Sequence, residues 1–184
     1  MAPTPPVVGE VEERIARLSG TCAEQGEPLQ VLRYEPGQQF ARHFDFYDPI
    51  TDPPEKFEAG GNRLATIVMC LAEAEEGGET EFDQVGVRFK LAAGDGLLWR
   101  NLHPHCDGAD PHSLDRRTSH AGRRVERGEK WVATKWIHER SRLAPPSLTR
   151  PPPPPPHFAA YMARRAAGMD TDLAWELATL DVSA

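Results

Sequence analysis

The apolar positions of the chain fall into short runs that glycine-rich polar turns separate. Residues 64–71 form an almost continuous apolar run, whereas 29–34, 85–91, 97–99 and 131–138 are shorter or alternate with polar positions. Runs of this length, rich in β-branched and aromatic residues, predict strands. Many short strands with such turns favour a mainly β fold, a double-sheet jelly roll.

A helical pattern precedes the strands. Val7, Val11, Ile15 and Leu18 recur at the spacing of one helix face, and Gly20 follows as a candidate C-cap. We therefore expect a short N-terminal helix with one apolar face.

The C-terminal part has a different composition. Six consecutive prolines at 151–156 predict a stiff polyproline II segment. We interpret this segment as a spacer. The alternatives are that it binds an aromatic groove or that it is a substrate of the chain itself. Apolar residues at helical spacing then predict a helical C-terminal tail. The expected organisation is an N-terminal helix and lead-in at 1–26, a β domain at 27–140, a proline-rich linker at 141–156 and the tail at 157–184.

Charge and cysteine content narrow the classes of protein. The net charge of −7 argues against non-specific binding of nucleic acid. Three cysteines do not form a disulfide framework, although a Cys22–Cys106 bridge stays open. No apolar stretch approaches the length of a membrane span. We therefore expect neither a nucleic-acid partner nor a membrane segment.

The candidate chemistry begins with His43 and Asp45. On a strand, residues two apart point the same way, so both side chains could reach one metal ion. With His120 they make the set of two histidines and one carboxylate that binds one face of Fe(II). Such a pair also arises by chance, since His105 and Asp107 repeat the spacing in a Pro- and Gly-containing stretch that predicts a turn.

Lys130 extends this pattern, because a buried lysine can pair with a carboxylate of a small dicarboxylate cosubstrate. Each residue also has an ordinary interpretation. His120 could be a surface histidine, Lys130 part of a charged hairpin, and Tyr34 and Trp136 core aromatics. These separate interpretations do not account for the order in which the residues occur.

Several short stretches in a fixed order carry a family resemblance. They are residues 29–38, 43–45, 60–66, 76–80, 119–122 and 128–137. Through them, residues 27–140 resemble the catalytic domain of prolyl 4-hydroxylases of the collagen and plant or algal cell-wall type. Those enzymes are Fe(II)- and 2-oxoglutarate-dependent dioxygenases with a double-stranded β-helix fold.

The resemblance implies a role for nine side chains. The residues that match the iron ligands are His43, Asp45 and His120. Those that match the binding site of the distal 2-oxoglutarate carboxylate are Lys130, Tyr34 and Thr80. Those that resemble positions along the peptide groove are Arg63, Trp136 and His138.

The implied activity is hydroxylation of peptidyl proline at C4, in a proline-rich or collagen-like peptide, with conversion of 2-oxoglutarate to succinate and CO2. Fe(II), 2-oxoglutarate and O2 would be required, and L-ascorbate is expected. The alternatives are the same chemistry on another residue or a small molecule, and a non-catalytic jelly-roll module that binds proline-rich chains. Oligomeric state and location stay open. A truncated eukaryotic member would belong to the endoplasmic reticulum, and another member to the cytoplasm.

Three departures from the family pattern stand out. Ser119 and Arg123 occupy positions where many relatives have leucine and cysteine, and neither would be a metal ligand. Residues 102–115 look longer and more irregular than expected, which favours a disordered or lineage-specific loop. A zinc site there is disfavoured, because no second ligand pair of standard spacing follows the candidate ligands. Those candidates are His103, His105 and Cys106.

Overall fold

The computed structural model describes residues 5–104 and 107–143, so the proline run and the expected C-terminal tail lie outside the described residues. Two α-helices are found there, α1 (Pro6–Ser19) and the short α2 (Glu55–Glu58). The strands are β1 (Gln30–Tyr34), β2 (Phe40–His43), β3 (Arg63–Ala72), β4 (Glu76–Gly77), β5 (Thr80–Phe82), β6 (Val87–Phe89), β7 (Gly96–Arg100), β8 (His120–Gly122), β9 (Val125–Arg127) and β10 (Lys130–His138).

The strands build two four-stranded sheets. One has the order β1-β10-β3-β7 and the other β2-β8-β5-β6, and all pairs within them are antiparallel. β4 and β9 pair separately. Apart from the β5–β6 hairpin and the separate β4–β9 pair, consecutive strands along the chain alternate between the two sheets, as in a double-stranded β-helix. The expectation of a mainly β jelly roll is therefore confirmed.

β10 is a central strand that separates the pocket from the helix-covered face. It pairs with β1 on one side and β3 on the other. Lys130, Val132, Thr134 and Trp136 line the space between the sheets. Ile137 belongs to the other face, where it packs in a cluster with the helix. This two-residue alternation is the ordinary consequence of the pleat, and it explains why a lysine can occur inside the domain.

The N-terminal helix forms as expected and ends at Gly20, whose backbone is left-handed (φ 69°). Its apolar stripe is used only in part. Ile15 is buried against the sheet and Val11 packs beside it, but Val7 and Leu18 are exposed. Only the middle of the apolar stripe is therefore buried, a distinction that helical spacing alone does not make.

Two expectations need correction. Residues 85–91 were expected to form a strand, but the strand extends only over Val87–Phe89. All three of its residues are exposed, and β6 lies at a sheet edge. The 102–115 segment is largely ordered where it is described. Leu102 and Leu114 pair in an isolated bridge and are buried with Phe46. His105 and Cys106 lie outside the described residues.

A buried polar clamp holds three loops together next to the ligand-bearing segment. The Asn62 amide donates to Tyr47 O and Gly108 O, and its carbonyl accepts from Tyr47 N and Arg63 N, at 2.8–2.9 Å. The Glu139 carboxylate accepts from Asn62 N and Gly108 N, both at 2.7 Å. Asn62 is fully buried, and its side chain therefore replaces water for four backbone groups.

Within the described ranges, no helix has the length and apolar character needed to cross a membrane. Cys22 is exposed and Cys70 is buried in β3, and both are free thiols. The open Cys22–Cys106 pairing involves a residue outside the described ranges.

Replacing Asn62 with alanine should destabilise the domain, because it leaves four backbone groups without their buried partner. At about 1–3 kcal/mol for an unsatisfied buried group, a loss of at least 3 kcal/mol is expected after partial relaxation. Urea unfolding followed by tryptophan fluorescence measures it. Gln84→Ala, at an exposed amide, is the control and should change the free energy of unfolding by less than about 0.5 kcal/mol. Equal effects of the two variants would contradict the clamp.

Candidate metal centre and adjoining pocket

The two histidines of the candidate metal set face each other across a pair of strands. In the antiparallel pairing of β2 with β8, His43 is the register partner of His120, and their ring centroids are 4.2 Å apart. Each Nδ1 lies 2.8 Å from a backbone carbonyl, that of Ala41 or Thr118. A neutral ring that donates from Nδ1 presents the lone pair of Nε2, which is the atom that a metal ion needs.

Asp45 completes the set from a different position than the sequence suggested. β2 ends at His43, and Asp45 lies in the bend that follows, so the expectation that one strand carries both ligands was wrong. Its Oδ1 is 3.4 Å from His43 Nε2, and its Oδ2 is 3.6 Å from His120 Nε2. The three ligand atoms lie within 4.8 Å of one another, which suits a single ion.

The pKa shifts of Asp45 and His120 favour the protonation states of metal ligands. Burial acts to raise the pKa of Asp45, but a hydrogen bond with His43, the nearby His120 and the Thr66 hydroxyl outweigh it, so the pKa falls below its ordinary value. Burial lowers the pKa of His120 against the opposing effect of Asp45. Burial also acts to lower the pKa of His43, but the hydrogen bonds with Asp45 and Ala41 raise it overall. A carboxylate beside a deprotonated His120 is the form that binds a cation.

Aromatic rings enclose the two imidazoles. Trp99 packs edge-on against His120 with 4.8 Å between centroids, and Phe82 lies 5.5 Å from the same ring. Phe40 is 4.4 Å from His43. These contacts fix the ring planes and keep water from most of the His120 side chain, which is 6% exposed.

One pocket between the sheets joins this set to Lys130. Lys130 and Tyr34 are register partners on β10 and β1, and Thr80 lies on β5 of the opposite sheet. The structure thus brings the three expected cosubstrate residues to one pocket. The full lining is Leu32, Tyr34, Phe40, His43, Asp45, Val68, Thr80, His120, Gly122, Lys130, Val132, Thr134 and Trp136.

Lys130 is a buried cation with few neutralising neighbours. It is 8% exposed, its Nζ donates to Gly78 O at 2.6 Å, and it lies 5.9 Å from the Tyr34 ring centroid. Burial, reinforced by the nearby Lys90 and only partly opposed by Cys70 and Glu79, lowers its pKa from the ordinary value. Burial likewise raises the pKa of Tyr34. An anionic ligand at this end of the pocket would therefore be attracted by a poorly solvated positive charge.

Arg63 connects the three expected groove residues, because it stacks on Trp136 and shares the Glu27 carboxylate with His138, but the three occupy different environments. Trp136 lines the pocket, and the Arg63 guanidinium stacks 4.1 Å from its ring centroid and 4.9 Å from that of Tyr47. His138 is 2% exposed, with Nδ1 2.9 Å from Gly61 O and Nε2 2.9 Å from a Glu27 carboxylate oxygen. It does not appear among the residues that line the pocket.

Glu27 is a residue that sequence reasoning missed. It forms a bidentate pair with Arg63, at 2.7 and 3.1 Å, in addition to its contact with His138. Burial acts to raise its pKa, but the hydrogen bonds from His138 and Arg63 outweigh this and lower it to about 2. The only signal in the sequence was an acidic residue just before the first strand. That position shows its importance only once β1 and β10 are paired.

A family model described as the 2OG-Fe(II) oxygenase superfamily matches residues 29–138. The chain belongs to this superfamily. The match spans the strands β1 to β10 and both ends of the pocket. By its name the family uses Fe(II) and 2-oxoglutarate, and the donor set and the buried lysine described above fit these two ligands.

Individual relatives agree with this membership. A protein named probable prolyl 4-hydroxylase 4 from Arabidopsis thaliana is 39% identical over 166 residues, covering 77% of this chain and 52% of that protein. Prolyl 4-hydroxylase subunit alpha-1 of Gallus gallus is 39% identical over 137 residues, covering 73% of this chain and 25% of that one. The chain therefore spans about half or less of the length of these two relatives.

A solved structure supports the same fold. The viral collagen prolyl hydroxylase of Paramecium Bursaria Chlorella virus-1, in complex with 2OG, superposes with a TM-score of 0.60 at 28% sequence identity. The superposition covers 74% of this chain and 75% of the viral one.

The Glu27 ion pairs should make stability depend on acid pH. The folded pKa of about 2 lies below the ordinary 4.5, so the stabilisation is complete above pH 4.5 and is lost as the pH falls towards 2. Its size is on the order of 3 kcal/mol. Glu27→Gln should lower the free energy of unfolding at pH 7, and the difference from wild type should shrink below pH 4.5. Urea unfolding at a series of pH values measures this.

The control for this experiment is Glu58→Gln, at an exposed glutamate of α2. It should follow the wild-type pH dependence. A deficit of Glu27→Gln that stays constant between pH 7 and pH 3 would contradict the low pKa of Glu27.

Proposed function

We propose that this chain is a dioxygenase that uses Fe(II), 2-oxoglutarate and O2 to hydroxylate peptidyl proline at C4. The observation that carries the proposal is the single pocket with a three-ligand metal set at one end and a buried lysine at the other. A dicarboxylate that chelates a metal ion needs both features, the metal set for one end of the molecule and the lysine for the other. The pocket connects the two.

His43, Asp45 and His120 would hold the iron through their Nε2 and carboxylate oxygen atoms and leave its other positions open. Lys130 would pair with the distal carboxylate of 2-oxoglutarate, with Tyr34 and Thr80 as hydroxyl donors beside it. In a pocket shielded from water this pairing would be a strong charge-assisted contact. The distal carboxylate of 2-oxoglutarate would also offset the cost of burying the Lys130 charge. The single hydrogen bond to Gly78 O does not neutralise that charge.

Two observations support a proline-containing peptide as substrate. The relatives and the solved viral structure carry the name prolyl hydroxylase. Moreover, Trp136 and the stacked Arg63 lie beside the metal set, with Arg63 Nη1 3.4 Å from Asp45 O. Aromatic surfaces of this kind pack against the rings of proline-rich segments. We assign His138 the role of fixing Glu27, and through it Arg63.

Iron with 2-oxoglutarate and O2 would supply the oxidising power, one oxygen atom entering the substrate C–H bond and the other entering succinate, with loss of CO2. The protein would orient the cosubstrate through Lys130, hold the ligand rings through Trp99 and Phe82, and keep water from the metal. L-Ascorbate is proposed as the reductant that returns iron to the ferrous state after turnovers without substrate.

The test is succinate release by the purified chain with Fe(II), 2-oxoglutarate and ascorbate, with and without a polyproline peptide. Peptide-stimulated succinate, with a peptide product heavier by one oxygen atom on proline, is the expected result. Succinate without stimulation would leave the dioxygenase and require another substrate. Absence of succinate from folded, iron-loaded protein would overturn the proposal in favour of a binding module.

Asp45→Ala should reduce succinate release to the level without enzyme, because two histidines alone hold iron weakly. Asp107→Ala is a matched control, since Asp107 belongs to the second His-x-Asp stretch and is exposed. That variant should keep wild-type turnover. Normal turnover by Asp45→Ala would remove Asp45 from the metal site.

Lys130→Met should raise the 2-oxoglutarate concentration needed for half-maximal rate by about 10- to 100-fold, because a charge-assisted hydrogen bond of 1.5–3 kcal/mol is lost. Methionine keeps most of the volume of the lysine side chain. The iron concentration for half-maximal rate should stay near the wild-type value, which separates cosubstrate binding from metal binding. An unchanged 2-oxoglutarate requirement would place the anchor elsewhere.

A further inference from the structure

Asp45 is the metal-set residue that the sheet does not position. The two histidines lie on paired strands, but Asp45 follows the end of β2 in a bend and is 3% exposed. A short carboxylate can rotate about two bonds, and each orientation presents different oxygen atoms to an ion. Its contacts beyond the two histidines therefore decide whether it is correctly oriented when a metal arrives.

The contact that restrains the Asp45 carboxylate comes from β3. The Thr66 hydroxyl donates to Asp45 Oδ2 at 2.8 Å. In turn, the side-chain amide of Asn101 donates to Thr66 Oγ1 at 2.9 Å. Thr66 and Asn101 are both fully buried, and neither is among the residues that line the pocket. The three side chains thus form a hydrogen-bonded row behind the metal set.

The backbone holds the far end of this row firmly. β3 and β7 are paired, with Thr66 opposite Trp99, and Asn101 follows the last residue of β7. Asn101 N donates to Leu64 O, and Asn101 O accepts from Asp115 N, both at 2.9 Å. The amide of Asn101 is therefore attached to a rigid strand end rather than to a loop.

The direction of the row follows from hydrogen-bond chemistry. A threonine hydroxyl has one hydrogen, and an amide donor at its oxygen leaves that hydrogen free for the carboxylate. Turning the Asn101 amide over would bring its carbonyl to Thr66 and draw the hydroxyl hydrogen away from Asp45. Two oxygen atoms would then face each other at 2.8 Å without a hydrogen between them. Asn101 therefore selects the hydroxyl orientation that Asp45 needs.

We infer that Thr66 and Asn101 are positioning residues of the metal centre, which hold the Asp45 carboxylate in the orientation that binds the ion. Asn101 acts through Thr66, and Thr66 acts through Asp45. This inference rests on the metal-binding role proposed for His43, Asp45 and His120. Groups of this kind behind a metal ligand typically change metal affinity by about 10- to 100-fold when they are removed.

The test measures Co(II) affinity of the metal-free chain, without 2-oxoglutarate and without turnover, by the visible absorption of bound cobalt. Thr66→Val keeps the shape of the side chain and removes the hydroxyl, and should weaken Co(II) binding by about 10- to 100-fold. Thr66→Ser keeps the hydroxyl and should bind Co(II) nearly as well as wild type. Ser113→Ala removes another fully buried hydroxyl, which donates to Asp110 O and does not line the pocket. It is the control and should keep wild-type cobalt affinity.

A double variant tests whether Asn101 acts on Asp45 through the Thr66 hydroxyl. Asn101→Leu should weaken Co(II) binding less than Thr66→Val, and the double variant should bind no more weakly than Thr66→Val alone, because Asn101 acts through the hydroxyl. Thermal unfolding of each metal-free variant shows whether it is folded. If a valine or leucine variant does not fold, Thr66→Ser and Thr66→Ala are compared instead. The alanine variant, which lacks the hydroxyl, should bind Co(II) more weakly than the serine variant.

The outcomes separate this inference from the function on which it rests. Wild-type cobalt affinity in folded Thr66→Val or Thr66→Ala would overturn the inference and leave the metal centre intact. If the two substitutions reduced Co(II) affinity independently, so that their effects multiplied in the double variant, Asn101 would not act through Thr66. A wild-type chain that binds no Co(II) would overturn the metal centre, and the inference with it.

Discussion

The site depends on the register of β2 against β8, which sets His43 opposite His120. Opposed residues of an antiparallel pair have side chains about 5 Å apart on one face, close enough for both rings to reach one ion. A shift of one residue would turn one of the histidines to the other face of the sheet. The same sheet continues to β5, where Phe82 pairs with His120 and Thr80 reaches the pocket. One register therefore places the metal set, its aromatic wall and a cosubstrate contact.

The domain buries charges that would be costly without partners. Asp45 accepts from Thr66, Lys130 donates to Gly78 O, and Arg63 is paired with Glu27. Breaking such a pair leaves an uncompensated buried charge, which costs more than the pair contributes. Under the proposed function, the metal ion would add positive charge beside Asp45 and the dicarboxylate would add negative charge beside Lys130. At both places the protein alone supplies few opposite charges. Ligand binding would then also stabilise the fold, since only the folded chain assembles these groups.

Strands and loops share the construction of the site in different ways. The strands place His43, His120 and Lys130 through backbone pairing. The bend that carries Asp45 and Tyr47 has no ladder of its own and is held by buried side chains. Asn62 is hydrogen-bonded to Tyr47, and Thr66 to Asp45. Loss of such a buried polar group should therefore alter the metal centre without any change to a residue that would touch the metal.

The sequence by itself determined the class of fold, most strands, the N-terminal helix and the residues of the candidate site. These follow from local patterns. The alternation of apolar and polar residues and the turn residues act over a few positions, and the residue types of the candidate ligands can be recognised from their order along the chain. Only the tertiary structure decided that Asp45 lies beyond its strand, that Val7 and Leu18 stay exposed, and that β6 is an exposed edge. It also decided that Glu27, Asn62, Thr66 and Asn101 support the site. Their roles arise from contacts between strands far apart in the chain, and no local pattern of polar and apolar residues encodes which distant partner a buried side chain will meet.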